Sequence, residues 1–583
     1  MALLQTSLIW IVYAIVIVVL AMTASIFINI YQTPRDRSSV VNLTCIVAIT
    51  SLLATLLLLP VDVALVSSTT SSTLGQRKSW ATPEQVNKIT SLLTVIYYIL
   101  YSVDASLCFI VIPFVYFWYE EYDEVAAEAG EQSAGKRLWT AFKYTISFIA
   151  ILAVVIIVGL LVPIANAKDS KNPEYLRKLL AENRGERALA FAFGLLITIG
   201  LVLYVVYTSS GLALLPIRMI GACLPASDET RKATTAAQLD FNRERQGQLE
   251  GRCRGNPVLL SSKDRRELDA LVRDERTLIR RQRIADEARG EGRSLLIQVW
   301  LTITRFLQPF KLLGGIVLAI IALMIWLSML LTAIDKAKNS VCKHHCGYIL
   351  SRISVFNPVN WAFVQSAKVF PVDYAIFILL VLLLFCSSVI GISTIGIRFL
   401  WIQIFRIRKG HTSPQALLST TGILILIILA LEYSVPMLVA PQYATFGPQT
   451  FCDRLPSSLG NLPNCSNSRH LVKPCSEETD NVAAKRVCTP TIASTFLNRV
   501  TINFPFFGTV FFWSQFIFLA IFLLVFIPSV VRPPRFDERL FDQDAEEAEE
   551  ESLLSNTGIH VDATWHGIID RAGGQSSIRG TRE

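Results

Sequence analysis

Three carboxylates stand in the sequence where carboxylates are expensive. Asp62, Asp104 and Glu432 each interrupt a long apolar run, and each run also holds a proline: Pro60, Pro113 and Pro436. An ionised Asp at the centre of a membrane span costs about 2.5–3.5 kcal/mol on the insertion scale, so such groups face the interior of a helix bundle. Proline lacks the backbone N–H and leaves a carbonyl unbonded four residues back, which kinks a span. A carboxylate beside that break can bind a cation, relay a proton or contact a polar ligand. It can equally be a neutral or paired group that only joins helices. Both readings stay open for Asp104, nine residues before Pro113, and for Glu432, four residues before Pro436. Asp62 lies closer to a membrane face, which favours a structural role.

A second set of reactive residues falls between the apolar runs. Cys342, Cys346, Cys452, Cys465, Cys475 and Cys488 lie in two loops, an even number as expected of a stapled, oxidised compartment. The segment Cys342-Lys343-His344-His345-Cys346 has the composition of a metal site, yet in an oxidising lumen its thiols are expected in disulfides, either together or with the 452–488 loop. No metal is therefore expected. Asn464-Cys465-Ser466 is a glycosylation sequon in the same loop, so Asn464 is a glycan acceptor. Asn42-Leu43-Thr44 also matches but falls at a cytosolic mouth and is expected unmodified. No P-loop, His-Glu-x-x-His or kinase motif is present in the sequence, which argues against an ATP motor, against catalysis and against a prosthetic group.

The elements that must position these residues are membrane helices. Of the 583 residues 52% are hydrophobic and 17% charged, against roughly 25% charged in soluble domains. Nine apolar runs, 8–30, 41–66, 90–118, 144–164, 188–207, 312–334, 374–395, 417–440 and 506–531, each approach the roughly 20 residues that cross a bilayer core. The fold class is all-α, a polytopic membrane protein of about nine transmembrane helices. No Lys or Arg precedes the first run, whereas Arg35 and Arg37 follow it, which predicts an uncleaved helix with a lumenal N-terminus. Alternation then places 215–311, the basic loop with Arg398, Arg406, Arg408 and Lys409, and the C-terminus in the cytosol. All six loop cysteines fall on the lumenal side.

Four regions follow: helices 1–5 in 1–214, a charged helical insert in 215–311, helices 6–9 with the cysteine-bearing loops in 312–531, and an acidic tail in 532–583 with the composition of disorder. Within the insert, 226–293 reads as two charged helices around a turn at Arg254-Gly255-Asn256-Pro257. Leu268, Leu271, Val272, Leu278 and Ile279 form the apolar stripe of the second. This hairpin is either a solvated pair on the membrane base or a docking platform. In the tail, Glu549-Glu550-Glu551-Ser552-Leu553-Leu554 has the form of an acidic dileucine sorting signal, read from Glu549, Leu553 and Leu554 by coat adaptors. The net charge of +8 is spread beside the spans without aromatic interleaving, so no nucleic-acid partner is expected.

Two stretches carry a family resemblance. The first is Tyr207-Thr208-Ser209-Ser210-Gly211-Leu212-Ala213-Leu214-Leu215-Pro216. The second is Gly391-Ile392-Ser393-Thr394-Ile395-Gly396-Ile397-Arg398-Phe399-Leu400-Trp401-Ile402, continuing through Arg406-Ile407-Arg408-Lys409-Gly410 and Pro414-Gln415-Ala416-Leu417-Leu418 to Ala440-Pro441-Gln442-Tyr443. With nine spans and a charged central insert, the chain resembles the limb-region-type multi-span membrane proteins over nearly its whole length. The resemblance implies a lysosomal or vacuolar membrane, export of cobalamin from lumen to cytosol as the transported ligand, and an ATP-driven membrane transporter as partner. It also implies an alternative, a trafficking receptor or scaffold whose tail recruits sorting adaptors. The Asp-x-His-x-x-Gly motif with which soluble cobalamin enzymes hold cobalt is missing from the sequence, and no ligand-contacting position carries over.

Overall fold

A computed structural model describes residues 2–32, 38–71, 73–121, 134–161, 184–221, 226–252, most of 266–279, 308–339, 355–399, 402–405, 414–453, 465, 469–476 and 482–531. In chain order its helices are α1 (Ala2–Tyr31), α2 (Ser39–Ser67), α3 (Pro83–Glu120), α4 (Ala134–Leu161), α5 (Arg184–Gly221), α6 (Ala226–Arg252) and α7 (Gln308–Asn339). They continue with α8 (Pro358–Ser366), α9 (Val372–Ile395), α10 (Pro414–Val439), α11 (Pro441–Phe446), α12 (Val482–Val487), α13 (Ile492–Asn503) and α14 (Pro505–Val531). Nine of the described helices are long and apolar enough to cross a membrane: α1 to α5, α7, α9, α10 and α14. Helical geometry is what lipid demands of these runs, because every backbone N–H and C=O must find its partner inside the segment.

Two compact units result, one made of Met1–Ile217 with Ile316–Val531, the other containing Arg218–Gly315. In the first, α2 and α10 are the central pair. Both are apolar around most of their circumference and are buried accordingly, whereas α1, α4 and α14 keep exposed apolar faces such as Ile11, Ile15, Ile151 and Leu524. Around α2 pack α1, α3, α9, α10 and α11. Helices α3 and α10 are not regular: each contains a π-turn, Leu107–Val111 and Val435–Val439 respectively. Pro113 follows the first and Pro436 lies inside the second, so the expected proline breaks take the form of one widened turn each.

The all-α reading needs one addition. Three two-stranded antiparallel ribbons join the helices: β1 (Thr70–Ser71) with β2 (Gln76–Arg77), β3 (Ile397–Phe399) with β4 (Ile402–Phe405), and β5 (Thr450–Cys452) with β6 (Val472–Pro474). The β1–β2 turn docks on the β5 strand, where Cys452 N donates to the Gly75 carbonyl at 3.1 Å. Gly75 has φ +62°, and a Cβ there would lie 2.7 Å from the Cys452 nitrogen, so both the conformation and the close approach require glycine. Arg77 reaches the Val487 carbonyl and the Thr489 hydroxyl at 3.5 Å, and partial burial pulls its pKa below the ordinary value.

Two disulfides staple the segment between α11 and α13: Cys452–Cys465 and Cys475–Cys488, each spanning 13 residues. Each cysteine pairs with its near neighbour, which removes the alternative that Cys342 or Cys346 bonds to this loop. Cys342 and Cys346 themselves, the sequon residue Asn464 and the tail residues Glu549, Leu553 and Leu554 lie outside the described residues. Replacing Cys452 or Cys475 by serine opens a loop whose closure entropy amounts to about 3 kcal/mol. Such variants are expected to lower the thermal unfolding temperature, in a scan of the detergent-solubilised protein, by the same amount as reduction of that one bond.

The second unit contains an antiparallel pairing of α6 with helical residues between 266 and 279. Asn242 Nδ2 donates to the Leu271 carbonyl at 2.9 Å, Arg243 pairs with Glu275 at 2.9 Å and Arg245 with Glu267 at 3.0 Å. Leu239, Leu249 and Leu278 are buried on its inner side, whereas Ile279, placed on the apolar stripe by spacing, is 44% exposed. The ion pairs are solvated and contribute no more than about 1 kcal/mol each. Apolar contact is what holds the pair.

Candidate transport site

The three carboxylates have three different environments. Asp104, near the middle of α3, is fully buried and accepts two short hydrogen bonds from α2, Ser51 Oγ to Oδ1 and Thr55 Oγ1 to Oδ2, both 2.6 Å. Ser51 and Thr55 are four residues apart, one turn, so α2 presents both hydroxyls on one stripe. The pairing ties α2 to α3 at mid-depth. Hydroxyl partners satisfy the carboxylate without supplying a countercharge.

Glu432 sits on α10, three residues before its π-turn, as Asp104 sits three residues before the π-turn of α3. It is 7% exposed, its Oε1 makes no hydrogen bond, and it lies within electrostatic reach of Asp104 and of Tyr97 and Tyr101 on α3. Pro436 has no N–H to offer the Glu432 carbonyl four residues back. The structure therefore brings Asp104 and Glu432, 328 positions apart in the chain by the difference of their numbers, to one buried locus bounded by α2, α3 and α10.

Asp62 does something else. Its Oδ2 accepts from the backbone N–H groups of Ile492 at 2.8 Å and Ala493 at 3.1 Å, the first residues of α13. Thr491 is the N-cap of the same helix, its hydroxyl accepting from Ser494 N at 3.3 Å. Asp62 is thus a second cap, delivered from α2 to a short helix that ends inside the bundle, and its negative charge faces the positive end of that helix dipole. The structural reading holds for its Oδ2. Its other side-chain neighbour is Tyr97 of α3, which joins it to the locus.

Several buried polar residues escaped the sequence reading. Lys336 is fully buried and donates from Nζ to the Tyr433 hydroxyl at 3.3 Å, with its ammonium 5.8 Å from the Tyr433 ring centroid. The apolar run 312–334 stops just before Asp335 and Lys336, and a charged pair at that point reads as the end of a span. In the structure α7 continues to Asn339 and carries both inward. Asn357 caps α8 and is held by Ser328 and Thr332 of α7, while Asn360 Oδ1 accepts from Gln442 N and Tyr443 N at the start of α11. Tyr443 donates to Asp373 at 3.0 Å. A run of Asn and Asp beside prolines was the available signal, since short helices ending inside a membrane need side-chain caps.

The two stretches that carry the family resemblance meet in space. Thr208 of α5 and Ser388 of α9 share a hydrogen bond of 2.8 Å, and Tyr207 donates to the Gly396 carbonyl at 3.2 Å. A Cβ on Gly211 would lie 2.6 Å from the Ser387 carbonyl carbon, and one on Gly391 would lie 2.7 Å from that of Tyr207. These glycines let two backbones touch, as small residues do at membrane helix interfaces. Among the described residues no group of three or more His, Cys, Asp or Glu side chains is placed to hold a metal ion.

Comparison with known proteins extends this picture. Residues 9–289 match the family described as LMBR1-like membrane protein. The chain is 72% identical over 571 residues to the protein of Aspergillus niger named "Probable lysosomal cobalamin transporter", covering 98% of this chain and 99% of that one. Proteins of the same name in Aspergillus terreus and Ajellomyces capsulatus are 69% and 59% identical, over 99% and 100% of this chain and the whole of each relative. No solved structure matches.

Proposed function

This chain belongs to the LMBR1-like membrane proteins, and on that premise we propose that it exports cobalamin from the lysosomal or vacuolar lumen to the cytosol. The observation that carries the reading is the end-to-end kinship with relatives of that name, at 59–72% identity for the three compared above. The orientation that goes with it puts the disulfide-bearing end in the lumen, with a glycan on Asn464. The insert and the tail then lie in the cytosol, where sorting adaptors read Glu549, Leu553 and Leu554.

A path for a large polar ligand needs polar groups in mid-membrane, and the Asp104–Glu432 locus supplies them. Asp62 serves that path by holding α13 in place beside it. Its neighbours in the locus, Tyr97 and Tyr101, are amphipathic and can exchange hydrogen bonds with a ligand without carrying charge. The π-turns beside both carboxylates are the points where α3 and α10 have an alternative hydrogen-bond register to move into.

The test is uptake of labelled cobalamin into proteoliposomes holding the purified chain. Wild type is expected to give flux above empty vesicles, and Asp104→Asn and Glu432→Gln to lower it about tenfold or more, equivalent to about 1.4 kcal/mol or more. No flux above empty vesicles with the chain alone, and none after addition of an ATP-driven transporter partner, overturns the reading. Flux only with the partner makes the chain its membrane subunit.

A further inference from the structure

The locus contains two buried carboxyl groups, and among the described residues no Lys or Arg forms an ion pair with either. Asp104 has both oxygens occupied by hydroxyl donors, while Glu432 keeps Oε1 without a hydrogen bond in a site that is 93% buried by its 7% exposure. A third group points to the same space: Tyr97 is 3% exposed, has Asp62 as its hydrogen-bonding neighbour, and lies within electrostatic reach of Glu432. The other titratable groups around the locus are Tyr13 of α1, Asp62 of α2, and Tyr101 and Cys108 of α3. On the same α10 turn, Tyr433 accepts from Lys336 of α7 and Ser434 donates to Tyr204 of α5.

Lys336 approaches Tyr433, whose ring packs on Phe511 of α14 at 4.4 Å. Two like charges in one low-dielectric site are strongly disfavoured, and the smallest ligand that removes one of them is a proton. Hydroxyl donors stabilise an ionised Asp104, so the exchangeable proton has a natural seat on Glu432.

We propose that Glu432, buried beside Asp104 with one carboxyl oxygen unbonded, binds one exchangeable proton, and that its uptake from the lumenal side and release to the cytosolic side drives export of the ligand. The proposal rests on the transport reading above and adds its energy source. The step is balanced without a redox partner: a proton joins a Glu432 carboxylate oxygen to give the neutral acid, and the same proton leaves to water on the other side.

Two measurements on the full chain test this. In proteoliposomes with an entrapped pH indicator, an imposed acid gradient is expected to accelerate labelled cobalamin flux severalfold, a cobalamin gradient to move protons, and a protonophore to abolish the acceleration. Glu432→Gln is expected to lose the acceleration by the gradient along with most of its flux, whereas Asp62→Asn is expected to keep both. Independently of flux, infrared difference spectra on changing pH should show a protonated-carboxyl band that disappears in Glu432→Gln and shifts in Asp104→Asn. Flux indifferent to the gradient overturns proton coupling and leaves the transport reading standing. Absence of the band overturns the proton seat on Glu432. If flux is missing altogether, the transport reading fails, proton-driven export falls with it, and the band still decides whether the site binds a proton.

Discussion

Valine at Gly211 or Gly391 is expected to abolish assembly of the bundle. A Cβ at Gly211 meets the Ser387 carbonyl carbon at 2.6 Å and the Gly391 nitrogen at 2.9 Å, and one at Gly391 meets the Tyr207 carbonyl carbon at 2.7 Å. These obstacles are backbone atoms, which cannot swing aside as a side chain can. Overpacking a well-filled core costs about 1–3 kcal/mol when side chains yield, and a clash of two helix backbones exceeds that range. The two helices would separate, breaking the Thr208–Ser388 and Tyr207–Gly396 bonds together with the contact. Fluorescence-detected size exclusion of a tagged chain is expected to show loss of the monodisperse peak for both variants, and alanine is expected to fail as well because the first added carbon already collides. Gly422→Ala is the control, since a Cβ there meets nothing within 4 Å. If Gly211→Val runs as a normal monodisperse protein, the α5–α9 contact described here is wrong.

Asp62→Ala and Asp62→Asn are expected to part company by a wide margin. Alanine leaves the Ile492 and Ala493 N–H groups buried without their acceptor, at about 1–3 kcal/mol for each unsatisfied donor. Helix α13 packs on α2, α3, α11 and α14, so its loosening reaches the core. Asparagine keeps a carbonyl oxygen in place and remains a good cap, losing only the charge. Thermal unfolding of the purified protein is therefore expected to fall by several degrees for alanine and little for asparagine. In the flux assay Asp62→Asn is expected to remain active where Glu432→Gln is not. An Asp62→Asn variant that is stable but without flux would put the Asp62 charge itself on the pathway.

The contrast between Asp62 and Glu432 shows why the sequence could nominate these residues without sorting them. Each is a carboxylate in an apolar run near a proline, and the insertion cost that marks them is a local property of the run. Their partners are remote: Asp62 acts on a backbone 430 positions away, and Asp104 on hydroxyls 49 and 53 positions away. Lys336 failed the same local test in the other direction. A charge at the end of an apolar run normally marks the membrane face, and only the continuation of α7 to Asn339 beside Tyr433 turns it inward.

What the sequence by itself determined is the set of membrane helices, because a bilayer has no donors or acceptors for the backbone and every long apolar run must satisfy its own. Cys452, Cys465, Cys475 and Cys488 were also legible as disulfide candidates, as was the amphipathic pairing in the insert, since periodicity is written along the chain. Tertiary structure decided which carboxylates meet. It joined Cys452 to Cys465 and Cys475 to Cys488, set Gly211 against the Ser387 backbone, turned Asp62 into a helix cap, and brought Asp104 and Glu432 into one electrostatic locus. Between helices in lipid the discriminating forces are close packing and a few buried polar contacts. Their pairing depends on how helices far apart in the chain lie against one another.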